Sequence, residues 1–277
     1  MIRKLYPYGR KKAFNVTYDD GVLQDVRFVQ LLNRYGLKGT FNLNSALMAR
    51  GFQWTHESGL VVKRLSPETA ASLYDGHEVA SHTLTHPYMH DLSREAVLQE
   101  LAQDKANLER LFGREIKGFA VPFDYYSDLI EACVKACGFA YGRISEESHA
   151  FVPQTDAYRW RATLFHLCED LEDVVSRFLA TEEELAVLQI VGHSYDLDVE
   201  DKWAQMEHIF SAISGESDVL PMTTIQLVEY LGAMGSAEIT GGLIRNNSPL
   251  SLWFDVDGAV HEVAPYGQLI MGEVRNS

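Results

Sequence analysis

Short apolar runs bounded by turn residues recur along the chain and alternate with segments whose apolar positions repeat at helical spacing. The runs lie at 13–17, 39–44, 78–82, 118–121, 140–144, 158–162 and 185–191. Their length and near-continuous hydrophobicity predict strands covered on both faces, as in a parallel sheet. Between them, Val97, Leu98, Leu101, Leu108 and Leu111 form one stripe over 94–112. Trp203, Met206, Phe210 and Ile213 form another over 203–213, and both stripes have the spacing of an amphipathic helix. Ser66-Pro67-Glu68 reads as a helix cap, a first-turn proline and an acid placed well for the helix dipole. This alternation predicts an α/β fold whose parallel sheet closes, or nearly closes, into a distorted (β/α) barrel of about seven strands. After about Met234 the pattern changes to short apolar runs punctuated by Gly241-Gly242, Asn246-Asn247 and Asp257-Gly258. We therefore expect a main unit over 1–235 and a small β-hairpin appendage over 236–277.

A chain of 277 residues with 46% hydrophobic content buries a full core of this kind. The 24 basic and 39 acidic residues leave a net charge of −15. That charge repels phosphate backbones and anionic lipid surfaces, and the short Arg10-Lys11-Lys12 run does not offset it, so neither nucleic acid nor membrane is an expected partner. The first residues carry charge without a following apolar segment of signal-peptide or membrane-spanning length, from which a cytoplasmic location is expected. Three cysteines, Cys133, Cys137 and Cys168, cannot all pair and suit a reducing compartment. Cys133 and Cys137 have helical spacing but no second ligand pair nearby, and read as small buried groups.

The candidate chemistry lies at the ends of the apolar runs. Val16-Thr17-Tyr18-Asp19-Asp20-Gly21 ends one run on paired carboxylates, and Ser81-His82-Thr83-Leu84-Thr85-His86-Pro87 ends another on two histidines four apart. Carboxylate oxygen and imidazole nitrogen are the ligand set of Zn²⁺ or a similar divalent ion. Of two adjacent carboxylates, one can hold the metal while the other takes a proton from the attacking water. Asp-Asp-Gly alone is a common turn and most single histidines are structural, so the co-occurrence of the two segments carries the reading. His56, His77, His90, His149, His166, His208 and His261 have no such context and are expected to be structural or surface residues.

These segments resemble those of the polysaccharide deacetylases with a NodB-like domain, carbohydrate esterase family four. Thr17-Tyr18-Asp19-Asp20-Gly21 is similar to the family's Thr-Phe-Asp-Asp-Gly, and His82-Thr83-Leu84-Thr85-His86 to its His-Ser/Thr-x-x-His. Lys38-Gly39-Thr40-Phe41-Asn42 and Asp75-Gly76-His77-Glu78-Val79-Ala80 resemble the flanking strands, and the likeness spans about residues 10 to 235. The resemblance implies that Asp19 is the general base and that Asp20, His82 and His86 bind one divalent ion, zinc first, with cobalt, nickel or manganese as alternatives. Leu188-Gln189-Ile190-Val191-Gly192-His193 is similar to the last motif and makes His193 the general acid. Gly118-Phe119-Ala120-Val121-Pro122-Phe123 resembles the Arg-x-Pro-Tyr motif, so the backbone N–H of Phe123 would hold the oxyanion.

One departure bears on mechanism, because the family's arginine, which steadies the catalytic aspartate, falls at Ala120. Arg143, on a neighbouring run, is the expected replacement and Arg161 the second candidate. The family's fourth, aspartate-containing motif is only weakly echoed at 156–160. The implied activity is removal of N- or O-linked acetyl groups from carbohydrate, with a bell-shaped pH–rate profile set by Asp19 and His193. Tyr18, Tyr88, Phe123, Tyr125, Tyr126 and Tyr195 offer aromatic surface for sugar rings, although large aromatics more often form core. Hydrolysis of a small amide, or carbohydrate binding without turnover on the same fold, are the competing expectations.

Overall fold

The run read at 13–17 forms the strand Lys12–Asp19, and all eight of its residues are buried in the computed structural model, which describes residues 1–271. Its side chains alternate between two environments, as a strand requires. Phe14, Val16 and Tyr18 join the main apolar core, which includes Phe28, Phe41, Trp203 and Phe210. Asn15, Thr17 and Asp19 occupy the other face, where each meets polar groups. Gln189 and Thr224 hydrogen-bond Asn15, and Asn42 donates to both Thr17 and Asp19. The barrel interior is therefore polar, and that polarity leads up to the first catalytic candidate.

Eight strands follow one another in the parallel sheet: Leu164–Phe165, Ala186–Gly192, Lys12–Asp19, Gly39–Leu43, Glu78–Ser81, Gly118–Ala120, Tyr141–Ile144 and Trp160–Arg161. A ninth, Val219–Pro221, pairs with the first half of Lys12–Asp19. Only Ala162 and Thr163 separate the two edge strands, so the chain itself draws the edges together and curls the sheet. The result is the expected parallel barrel with more strands than the seven expected. The additions, Leu164–Phe165 and Val219–Pro221, are two and three residues long and do not stand out in the sequence as separate apolar runs with turn residues at both borders.

Helices cover the outer face, and their ends follow local chemistry. Ser66 accepts from the Thr69 N–H with Pro67 at the first turn. Ser93 caps Arg94–Phe112, which Gly113 ends in the left-handed conformation. Thr223 and Gln226 form a reciprocal capping box at the start of Thr224–Gly235.

The C-terminal segment forms the strands Leu252–Val256 and Ala259–Val263, joined through Asp257 and Gly258, both at positive φ. The N-terminal strand Ile2–Leu5, not anticipated, adds to this hairpin on its free side. A second small sheet joins Glu238–Thr240, Leu243–Arg245 and Gln268–Ile270. Ile244, Leu252, Phe254 and Val263 pack with Tyr6, Trp160, Val187 and Tyr230, near the starts of the barrel strands and away from the strand ends that carry the candidate site. Residues 272–277 of the expected appendage lie outside the described residues.

Candidate metal centre and active site

Asp19 closes its strand and Asp20 opens the turn that follows, with φ at +87° and Gly21 next at +63°. A β-carbon at Gly21 would lie 2.7 Å from Leu43 Cδ2, so glycine meets both the conformation and the space. This sharp turn separates the two carboxylates. Asp19 faces the barrel, while Asp20 turns towards the histidines. Asp20, His82 and His86 each offer one ligand atom, and these atoms lie within 4.8 Å of one another.

The donor set fits a divalent metal on three counts. Asp20 Oδ1 is buried and accepts no hydrogen bond. It lies 3.7 Å from His86 Nε2 and 2.7 Å from Arg64 Nη1, an ion pair without hydrogen-bond geometry. His82 Nδ1 lies 2.8 Å from the Ala120 carbonyl, which can only accept, so Nδ1 carries the proton and Nε2 keeps its lone pair. Burial pushes the His82 imidazole down to about 4 and lowers that of His86 as well, which keeps both rings neutral. Burial opposes ionisation of Asp20, but Arg64 and the surrounding histidines outweigh it and hold the carboxyl well below the usual range.

Asp19 is gripped from two sides. Asn42 Nδ2 donates to Oδ1 at 2.7 Å, and Arg143 Nη2 contacts Oδ1 at 2.6 Å and Oδ2 at 2.5 Å. Ala120 and Arg143 are direct partners across the parallel ladder, so the guanidinium sits one strand over from the position the motif gives it, at the same level of the barrel. Burial works against the charge on Asp19, and Arg143 with His82 more than offsets it. Arg161 is exposed, and its backbone bonds to Gln154 instead.

His193 follows the strand Ala186–Gly192 and places Nδ1 3.0 Å from Asp196 Oδ2. That oxygen also receives His166 Nε2 at 3.1 Å, while the Tyr18 hydroxyl lies 2.7 Å from His166 Nδ1. Neutral His166 satisfies both contacts when Nε2–H donates to Asp196 and Tyr18 donates to Nδ1. Although burial disfavours the charged imidazole, Asp196, Asp20 and Asp19 raise His193 to about 9. Gly192 makes room for this arrangement, since a β-carbon there would stand 2.6 Å from three atoms of the His166 ring.

Phe123 takes a positive φ of +57°, and its backbone N–H meets no acceptor among the described residues. Its ring is 42% exposed and stacks on Tyr88 at 3.9 Å and 9°, with His86 edge-on at 4.6 Å. Across the site Tyr195 stacks on His193 at 5.1 Å and meets Trp54 edge-on at 5.5 Å. Tyr18, in contrast, is fully buried core.

Sequence reasoning missed three supporting residues. Arg64 stands just beyond the strand Val61–Lys63, part of a hairpin with Gln53–Thr55 that has no motif signature. Asn42 lies in the apolar run 39–44, where nothing in the sequence marks it as a partner of Asp19. Asp196 matches no motif read from the sequence, and in the weak echo at 156–160 Asp156 caps the turn Ala157–Arg159. Its three-residue separation from His193 was the available signal. Cys133 is buried and Cys137 half-buried, and neither belongs to the candidate metal group.

The family described as polysaccharide deacetylase matches residues 7–142. No curated protein matches the chain. Among solved structures, the family 4 carbohydrate esterase from Streptomyces lividans, in complex with acetate, superposes with a TM-score of 0.50 at 16% identity, covering 75% of this chain and 90% of that one. The Xyl-CE4 domain of a multidomain xylanase from the hindgut metagenome of Trinervitermes trinervoides gives 0.54 at 17%, covering 80% and 92%. The peptidoglycan deacetylase PdaC from Bacillus subtilis gives 0.51 at 18%, covering 78% and 90%. At these identities the structural likeness is one of fold. Residues 7–142 thus match the polysaccharide deacetylase family, and the metal-ligand cluster lies at the ends of the strands of a barrel whose fold is shared with these esterases and deacetylases.

Proposed function

We propose that the protein is a metal-dependent deacetylase that removes N- or O-linked acetyl groups from a carbohydrate. The observation that carries this reading is the convergence of Asp20, His82 and His86 beside a separately held carboxylate, Asp19, and a carboxylate-backed imidazole, His193. Asp20, His82 and His86 would hold the ion, with zinc the first candidate for this oxygen and nitrogen set and cobalt, nickel or manganese behind it. When bound, such an ion acidifies water and polarises a carbonyl.

The chain's own groups do the rest. Asp19, kept ionised by Arg143 and oriented by Asn42, accepts the proton of the attacking water. The Phe123 N–H is available to the developing oxyanion. His193 keeps its Nδ1 proton on Asp196 and delivers the Nε2 proton to the leaving nitrogen or oxygen. Exposed Phe123, against His86, and Tyr88, stacked on it, offer ring surface suited to a pyranose, and Tyr125 lies further out against His90. The rival reading, binding without turnover, rests on the missing arginine at Ala120, and the Arg143–Asp19 pair weighs against it.

Elemental analysis of untagged protein tests the reading, followed by acetate release from acetylated oligosaccharides with the metal found. We expect about one divalent ion per chain, lost in His86→Ala but retained in Asp19→Asn, which should lose most turnover. A wild-type site that stays empty when zinc is added would defeat it.

A further inference from the structure

Arg64 stands against the proposed metal ligand and has no role in the reading above. Its backbone is laced to the turn that carries Asp20. Leu65 N–H donates to the Gly21 carbonyl, Leu23 N–H to that of Lys63, and Arg64 N–H to that of Phe52. Its guanidinium donates to the Asp20 backbone carbonyl and lies 2.7 Å from Asp20 Oδ1, with Trp54 5.1 Å away on the same hairpin. The side chain is 4% exposed, so water and salt screen its charge little. The oxygen it approaches is the one 3.7 Å from His86 Nε2, and a cation joining Asp20 to the histidines must share that carboxylate with the guanidinium.

We propose that Arg64 is a positioning residue that also limits metal affinity, acting as a resident cation on the Asp20 carboxylate. The inference rests on the ligand set assigned above. Two ion pairs, Arg143 with Asp19 and Arg64 with Asp20, balance the site's charge before any ion arrives. The apo carboxylates are therefore held apart in ordered positions rather than repelling each other. The same balance costs affinity, because an incoming divalent ion meets a fixed positive charge in a poorly screened place. Grip and charge act in opposite directions, and burial makes charge the larger of the two.

Zinc competition against a chromophoric chelator, on untagged protein, separates them. Arg64→Met and Arg64→Gln, both neutral, should bind zinc more tightly by about tenfold or more, the scale on which a neighbouring positive charge weakens a carboxylate's hold on a proton. Arg64→Lys keeps the charge and should stay within about threefold of wild type. Should a neutral variant be only marginally folded, its zinc-induced rise in Tm should still exceed that of wild type. Unchanged or weaker zinc binding in both neutral variants, with binding still abolished by His86→Ala, overturns this inference and leaves the ligand set standing. Absence of zinc from wild type and neutral variants alike overturns both.

Discussion

Arg143 and Asp196 are residues that the motif pattern places elsewhere. The chemistry needs a guanidinium on the base and a carboxylate behind the acid, but not at fixed positions in the chain. Arg143 meets the first need from the ladder position opposite Ala120, and Asp196 meets the second from the segment after His193. The Arg143–Asp19 pair is buried, with Nη2 alone spanning both carboxylate oxygens, so removing one partner strands a charge. Arg143→Met should destabilise the protein by about 3–5 kcal/mol, the cost typical of breaking a buried pair. Adding Asp19→Asn should recover part of that loss, because the stranded charge goes with it. Urea unfolding of both single variants and the double measures the coupling, and additive effects would mean that the pair is not coupled in solution.

At the level of elements, the site depends on how closely the strand Ala186–Gly192 approaches the segment carrying His166. Gly192→Ala would force a methyl against the His166 ring, with a cost of about 1–3 kcal/mol typical of overpacking. The displaced ring would loosen Asp196 and, through it, His193. We expect kcat to fall with KM little changed. Thr223→Ala provides the contrast at the opposite end of the barrel: loss of that capping box should cost about 1 kcal/mol while leaving kcat alone. If both variants lost activity in proportion to stability, Gly192 would have no specific tie to the acid. The hairpin Gln53–Thr55 with Val61–Lys63 shows why Arg64 was hidden. Its strands are three residues long, and only the tertiary fold brings Arg64 to the Asp20 turn.

Across the whole molecule, the charges at the strand ends make stability depend on pH. His193 reaches about 9 in the folded protein, above the ~6.5 of a free imidazole. The folded state therefore binds more protons between those values, and the His193 contribution is full below pH ~6.5 and lost as pH rises through about 9. In metal-free protein, His193→Gln should flatten the alkaline decline in urea midpoint over that window; equal slopes would refute the linkage. No helix among the described residues is long and apolar enough to cross a membrane.

The sequence by itself determined seven of the nine barrel strands, the capped helices and the grouping of Asp19, Asp20, His82, His86 and His193 at strand ends. Hydrophobic period, cap chemistry and short motifs are local, and a parallel barrel brings successive strand ends to one rim. Only the tertiary structure decided between Arg143 and Arg161 as the partner of Asp19, and decided that Asp196 and His166 stand behind His193, that Arg64 shares Asp20, and that the N-terminal strand joins the C-terminal hairpin. Those contacts join segments through ladder register and hairpin docking, and such pairings depend on where whole elements pack rather than on any pattern within one of them.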